Sequence, residues 1–89
     1  MEFEFDPEKS AANKKKHGIS FNEAMRLWED TDCITIPLMT TVESRLIVIG
    51  KISERHWSAI VTFRGAKTRI ISVRRSRKEE ANSYEDNKR

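Results

Sequence analysis

Four residues of this chain have side chains suited to reaction at a phosphate: His17, Arg64, Arg74 and Tyr84. His17 belongs to the one side-chain type whose unperturbed pKa lies near neutrality, so it can take or give a proton. It also falls in the last turn of an expected helix before Gly18, where it would instead cap carbonyls and suit the helix dipole. Arg64 and Arg74 can stabilise phosphate charge through paired hydrogen bonds, or remain ordinary surface charge. Tyr84 offers a hydroxyl and a stacking ring, or else an anchor for a weakly apolar C-terminal helix. Lys16, Lys51, Arg69 and Arg75 are candidates for holding a polyanion, with scaffold ion pairs as the competing role of the two arginines. His56, beside Trp57, is read as structural, and Ser72 has no visible His/Asp pairing that would make it a nucleophile. The sequence lacks an acidic cluster suited to two metals and a Cys/His cluster with zinc spacing, so no metal or cofactor is expected.

The charge that would attract a polyanion is localised. Between Arg45 and Lys78 there are ten Lys/Arg against one acid, Glu54, whereas the whole chain carries a net charge of only +3. With 89 residues there is room for one small domain and one core. Cys33 has no cysteine partner for an internal disulfide, which fits a reducing cytoplasm. Neither a signal-peptide profile at Met1–Asp6 nor an apolar run long enough to span a bilayer is present, so secretion and membrane insertion are not expected.

These residues need elements to position them. Glu2–Asp6 alternates acidic and aromatic residues and reads as a short strand. Asp6-Pro7 then opens a helix running to about His17, with Gly18 as its stop. Ser20-Phe21-Asn22-Glu23 is a capping box, and Phe21, Ala24, Met25 and Trp28 make the apolar stripe of a second helix. Cys33–Ile36, interrupted by Pro37, reads as an edge strand or a loop-like approach to the sheet. Three clearer strands follow at Arg45–Ile52, His56–Phe63 and Thr68–Arg75, close enough for an antiparallel meander. Ser76-Arg77-Lys78-Glu79 repeats the capping-box pattern and should start a third helix, whose apolar residues are Ala81 and Tyr84.

The expected fold class is therefore α+β: a short N-terminal strand, two helices, an antiparallel sheet of about four strands and a C-terminal helix. Alternation buries Leu46, Val48, Ile52, Trp57, Ala59, Val61 and Phe63 under the second helix. It places Lys51, Arg64, Thr68, Ile70, Ser72 and Arg74 on the opposite face, with Arg69, Ile71, Val73 and Arg75 turned away from them. Trp28, Trp57 and Phe63 are assigned to the core.

Two blocks of sequence carry a family resemblance. Phe3-Glu4-Phe5-Asp6-Pro7, Lys9, Ala12-Asn13, Lys16-His17-Gly18-Ile19-Ser20-Phe21 and Glu23-Ala24 form the first. Ile49-Gly50, Arg69-Ile70-Ile71-Ser72-Val73-Arg74-Arg75, Glu79 and Tyr84 form the second. Together they resemble BrnT-type ribonuclease toxins, with Phe5 where that family usually has Trp and no matching signature in residues 31–44. The resemblance implies a RelE-like fold and an endoribonuclease neutralised by a BrnA-type antitoxin that binds operator DNA. On that reading RNA is cut without a metal by attack of its own 2′-hydroxyl, with His17, Arg64, Arg74 and Tyr84 as catalytic candidates and Lys16, Lys51, Arg69 and Arg75 binding RNA. A non-catalytic nucleic-acid-binding module, or a co-repressor acting with a DNA-binding partner, is the competing expectation.

Overall fold

A computed structural model describes residues 1–39 and 44–88, so part of the unmatched 31–44 segment and the final Arg89 lie outside the described residues. Strand β1 (Glu2–Glu4) leads into α1 (Pro7–His17) and α2 (Phe21–Ala24), which tightens into a 3-10 turn at Met25–Glu29. Strands β2 (Ile34–Leu38), β3 (Arg45–Ile52), β4 (Arg55–Arg64) and β5 (Lys67–Arg75) follow, and α3 (Lys78–Asn87) ends the fold. The class is α+β. The sheet has five strands in the order β1-β5-β4-β3-β2, and it is mixed because β1 joins β5 in parallel while the other pairs are antiparallel.

Local chemistry accounts for the boundaries. The Asp6 carboxylate accepts the Glu8 N–H at 2.9 Å, and Gly18 closes α1 with φ of 82°, a conformation favoured by its missing Cβ. Ser20 and Glu23 form the expected capping box of α2. Beyond Ala24 the coil tightens, and at three residues per turn Ala24 and Leu27 fall in line. Leu27 is therefore fully buried, whereas Met25 and Trp28 are half-buried. Gly50 lets this layer sit close to β3, since a Cβ there would lie 3.1 Å from Leu27 Cδ2 and 3.2 Å from Cys33 Cβ. The β3–β4 hairpin turns through Ser53 and Glu54 at φ of 50° and 69°, a type I′ geometry. Pro37 is tolerated because β2 is a sheet edge.

Between β4 and β5 the register runs Ala59–Val73 and Ile60–Ser72, then jumps to Val61–Ile70. Ile71 is thus an unpaired bulge residue. One extra residue reverses the phase of the strand preceding it, which corrects the strict alternation expected from sequence. Ile70 joins Val73, Ala59, Val61, Val48 and Trp57 beneath α1 and α2, while Arg69 shares the opposite face with Ser72 and Arg74. Phe63 is also corrected: at the turn end of β4 it is 58% exposed and is not core.

A buried amide secures α1. Asn13 Nδ2 donates to Val73 O at 2.9 Å and to Ile19 O at 2.8 Å, and Asn13 Oδ1 accepts the Val73 N–H at 3.2 Å. It satisfies the backbone of β5 where β1 no longer runs beside it.

On the other face, Tyr84 packs on Ile47 and Ile49, with Ile34, Leu38 and Ile60 around them. Its hydroxyl donates to Asp30 Oδ2 at 2.6 Å. Arg74 meets Glu80 in a fork at 2.8 and 2.9 Å, and the same carboxylate accepts from Ser58 Oγ and the Arg77 N–H. The cap of α3 therefore uses Glu80, one residue later than expected.

Replacing Asn13 by Ala should lower stability by about 3 kcal/mol, since it strands buried backbone groups at roughly 1–3 kcal/mol each. Asn13→Asp should be at least as damaging, because it sets a carboxylate oxygen against two carbonyls; a melting temperature equal to wild type for either variant contradicts the clamp. Arg74 holds the Glu80 carboxyl down at about 2, below its ordinary 4.5. A depressed acid contributes stability that is fully present above the unfolded pKa and fades as pH falls through the folded one. The stability difference between wild type and Glu80→Gln should accordingly shrink from pH 4.5 towards 2 in urea titrations.

Candidate functional site

The cations that alternation gathers on one sheet face are mostly occupied by acids of the chain itself. Arg74 is engaged by Glu80. Arg69 Nη1 lies 2.8 Å from Glu4 Oε2 on β1, and Lys51 Nζ lies 3.5 Å from Glu85 on α3. His56 Nε2 meets the same Glu85 carboxylate at 2.7 Å and stands edge-on to Tyr84. That hydrogen bond, ahead of the nearby lysines, keeps the Glu85 carboxyl below its usual range.

Tyr84 is almost wholly buried. Burial and then the Asp30 carboxylate push its phenol far above the ordinary value, so the hydroxyl stays protonated and committed to Asp30. Although burial pushes Asp30 upward, hydrogen bonds from Tyr84 and from the backbone of Lys51 and Asp32 hold it below the usual carboxylate range. Arg74 and Tyr84 thus fasten α3 to the sheet. Arg64 is exposed at the β4–β5 turn. Arg74 pairs with Ser58, six residues back along β4, so the two arginines stand roughly 20 Å apart along the strand and cannot grip one phosphate. Arg75 lies on the helical side, its guanidinium 5.5 Å from the Trp57 ring centroid. The four candidate catalytic side chains do not form one constellation.

His17 and Lys16 stand elsewhere. Along α1, Lys9, Asn13 and Lys16 recur at intervals of four and three, and so share one helical face. The Asn13 clamp turns that face toward the bulged edge of β5. A cleft of about 230 Å³ results, lined by Lys9, Lys16 and His17 of α1 and by Ile71 and Ser72 at the edge of β5. It holds cationic side chains and an imidazole, and none of its lining residues is acidic. Sequence reasoning did not assign Asn13 or Lys9 a role; their spacing with Lys16 was the available signal.

A second cleft, of about 390 Å³, opens beyond Gly18 between the helical layer and the β3–β4 turn, with Arg26, Arg55 and Trp57 in its lining. Its one carboxylate, Glu23, is tied to Lys14 Nζ at 2.8 Å. A third cleft, of about 520 Å³, carries Glu29, Asp30, Asp32 and Glu54 alongside Lys51 and Lys88. Among the described residues no group of three or more His, Cys, Asp or Glu is arranged to hold a metal ion, and no helix is long and apolar enough to cross a membrane.

The chain is similar over residues 5–80 to the family described as ribonuclease toxin, BrnT, of type II toxin-antitoxin system. No curated protein gives a significant match. The matched span takes in α1 with its lysine–histidine face, all of the strands after β1 and the first residues of α3, and it ends before Tyr84. This chain belongs to the BrnT family of ribonuclease toxins of type II toxin-antitoxin systems.

Proposed function

We propose that the chain is a metal-independent endoribonuclease whose reaction takes place at the α1–β5 cleft. The observation that carries this reading is the position of His17 beside Lys16 and Lys9 at the bulged edge of β5, with no acid in the lining to neutralise the lysines or repel a phosphate. His17 takes the proton from the RNA 2′-hydroxyl, and the freed 2′-oxygen attacks the adjacent phosphorus. Lys9 and Lys16 stabilise the charge that builds on the phosphorane oxygens. The bond to the 5′-oxygen breaks, and that oxygen leaves with a proton from Lys16 or from solvent. The products are a 2′,3′-cyclic phosphate and a free 5′-hydroxyl. Exposed Arg64 contributes to RNA attraction from the turn end of the sheet. On this reading Arg74 and Tyr84 act on the reaction only through the anchoring of α3.

The protein acts in the cytoplasm on a RelE-like scaffold. A BrnA-type antitoxin neutralises it and connects it indirectly to operator DNA. One observation favours a second reading, a nucleic-acid-binding module or co-repressor without turnover: two of the four side chains suited to catalysis are locked in structural contacts. Salt-sensitive RNA binding without cleavage, or operator affinity of the antitoxin that depends on this chain, would favour it.

Purified protein incubated with RNA in EDTA should yield cyclic phosphate ends. His17→Gln should reduce the rate by about 10²–10⁴-fold while leaving the melting temperature near wild type, the range expected for loss of a general base. Tyr84→Phe should lower stability yet retain the rate per folded molecule. An inert wild type removes the ribonuclease reading; full activity of His17→Gln removes the assigned base.

A further inference from the structure

We propose that the arginine-lined cleft beyond Gly18 is a second phosphate-binding site, which holds the RNA backbone as it extends away from the His17 cleft; this inference rests on the ribonuclease reading above. Arg26 comes from the helical layer and Arg55 from the start of β4, and Trp57 also lines the cleft. Neither guanidinium has an acidic partner among the described residues. Arg75, opposite Trp57 in the sheet register, stands over the indole outside the lining of the cleft. Arg26 and Arg55 contrast with Arg69 and Arg74, whose charges are already met by Glu4 and Glu80.

The surroundings favour a phosphate chain. Glu23, the one carboxylate in the lining, is engaged by Lys14 Nζ and by the Ser20 N–H, so its charge is already balanced. Gly18 lines this cleft and directly follows His17, which lines the other. The last turn of α1 between them carries Lys14, Lys15, Lys16 and His17. A backbone leaving the first cleft therefore meets a basic ridge and then the arginine fork. Past Arg26 and Ser53 the next cleft presents Glu29, Asp32 and Glu54, which repel phosphate and end the track. Trp57 is 8% exposed, so base stacking on it is denied and the site is indifferent to sequence.

The experiment titrates the full chain with a fluorescent 2′-O-methyl oligoribonucleotide, which blocks 2′ attack, over a range of salt. Arg26→Gln and Arg55→Gln should each weaken binding and lower the slope of log K against log salt by about 0.7, the increment for one single-strand phosphate contact. The same variants should raise KM for long RNA without changing kcat, and should cleave a dinucleoside monophosphate like wild type. Arg26→Lys and Arg55→Lys should restore the slope, which repair of a folding defect would not explain. Unchanged slope and KM overturn the site, as does equal loss on the dinucleotide. Loss of antitoxin binding with RNA affinity intact also overturns it, by assigning the cleft to a protein. Wild type that binds with the expected slope yet cleaves nothing would support this cleft and remove the ribonuclease reading.

Discussion

The hydrogen bonds of one amide side chain set the position of everything on the α1 side of the sheet. Strand β1 covers β5 only as far as Arg69, and beyond that the backbone of β5 would face outward with unpaired groups. Asn13 supplies both the donor and the acceptor that a neighbouring strand would offer, and its second amide hydrogen reaches Ile19 O. The carboxamide joins helix, sheet and interhelical link at a single buried point. Hydrophobic packing of Phe21, Ala24 and Leu27 on the sheet is strong but non-directional. Direction comes from the amide, because its hydrogen bonds tolerate little displacement.

The bulge at Ile71 is the second constraint, and the two work at the same place. Without an extra residue, Ile70 would face away from the helical layer and Arg69 would face into it. With it, the apolar side chain enters the core and the cation meets Glu4 at the other face. The bulge also leaves Ile71 and Ser72 at the strand edge next to Lys9, Lys16 and His17. One irregularity in pairing therefore both sorts the side chains and shapes the cleft, in keeping with the concentration of bulges near functional sites.

Much of the fold was legible because local rules were obeyed. Asp6-Pro7, Gly18 and the Ser20–Glu23 box mark their helix ends in residue types whose chemistry is local, and β3 spans Arg45–Ile52 as alternation required. The 3-10 turn after Ala24 was not legible: it sets Leu27 against Gly50 of β3, a neighbour remote in sequence. The site was harder to read. Charge density pointed to Arg74, yet whether a cation is free depends on which acid the fold brings to it, and Glu80 reaches it only once α3 docks. Tyr84 was ambiguous for the same reason: its partner Asp30 is remote in sequence. Lys16 and His17 were legible as residues, whereas the cleft they face depends on a bulge that no local residue type announces.

The two outer strands have a consequence for how the protein behaves when concentrated. At one border of the sheet β1 offers only three residues, and at the other β2 carries Pro37, which has no N–H to donate. Neither border is a continuous template for another strand, so the sheet resists growing from copy to copy. Contact with other molecules is thereby directed to its side chains rather than to its open backbone.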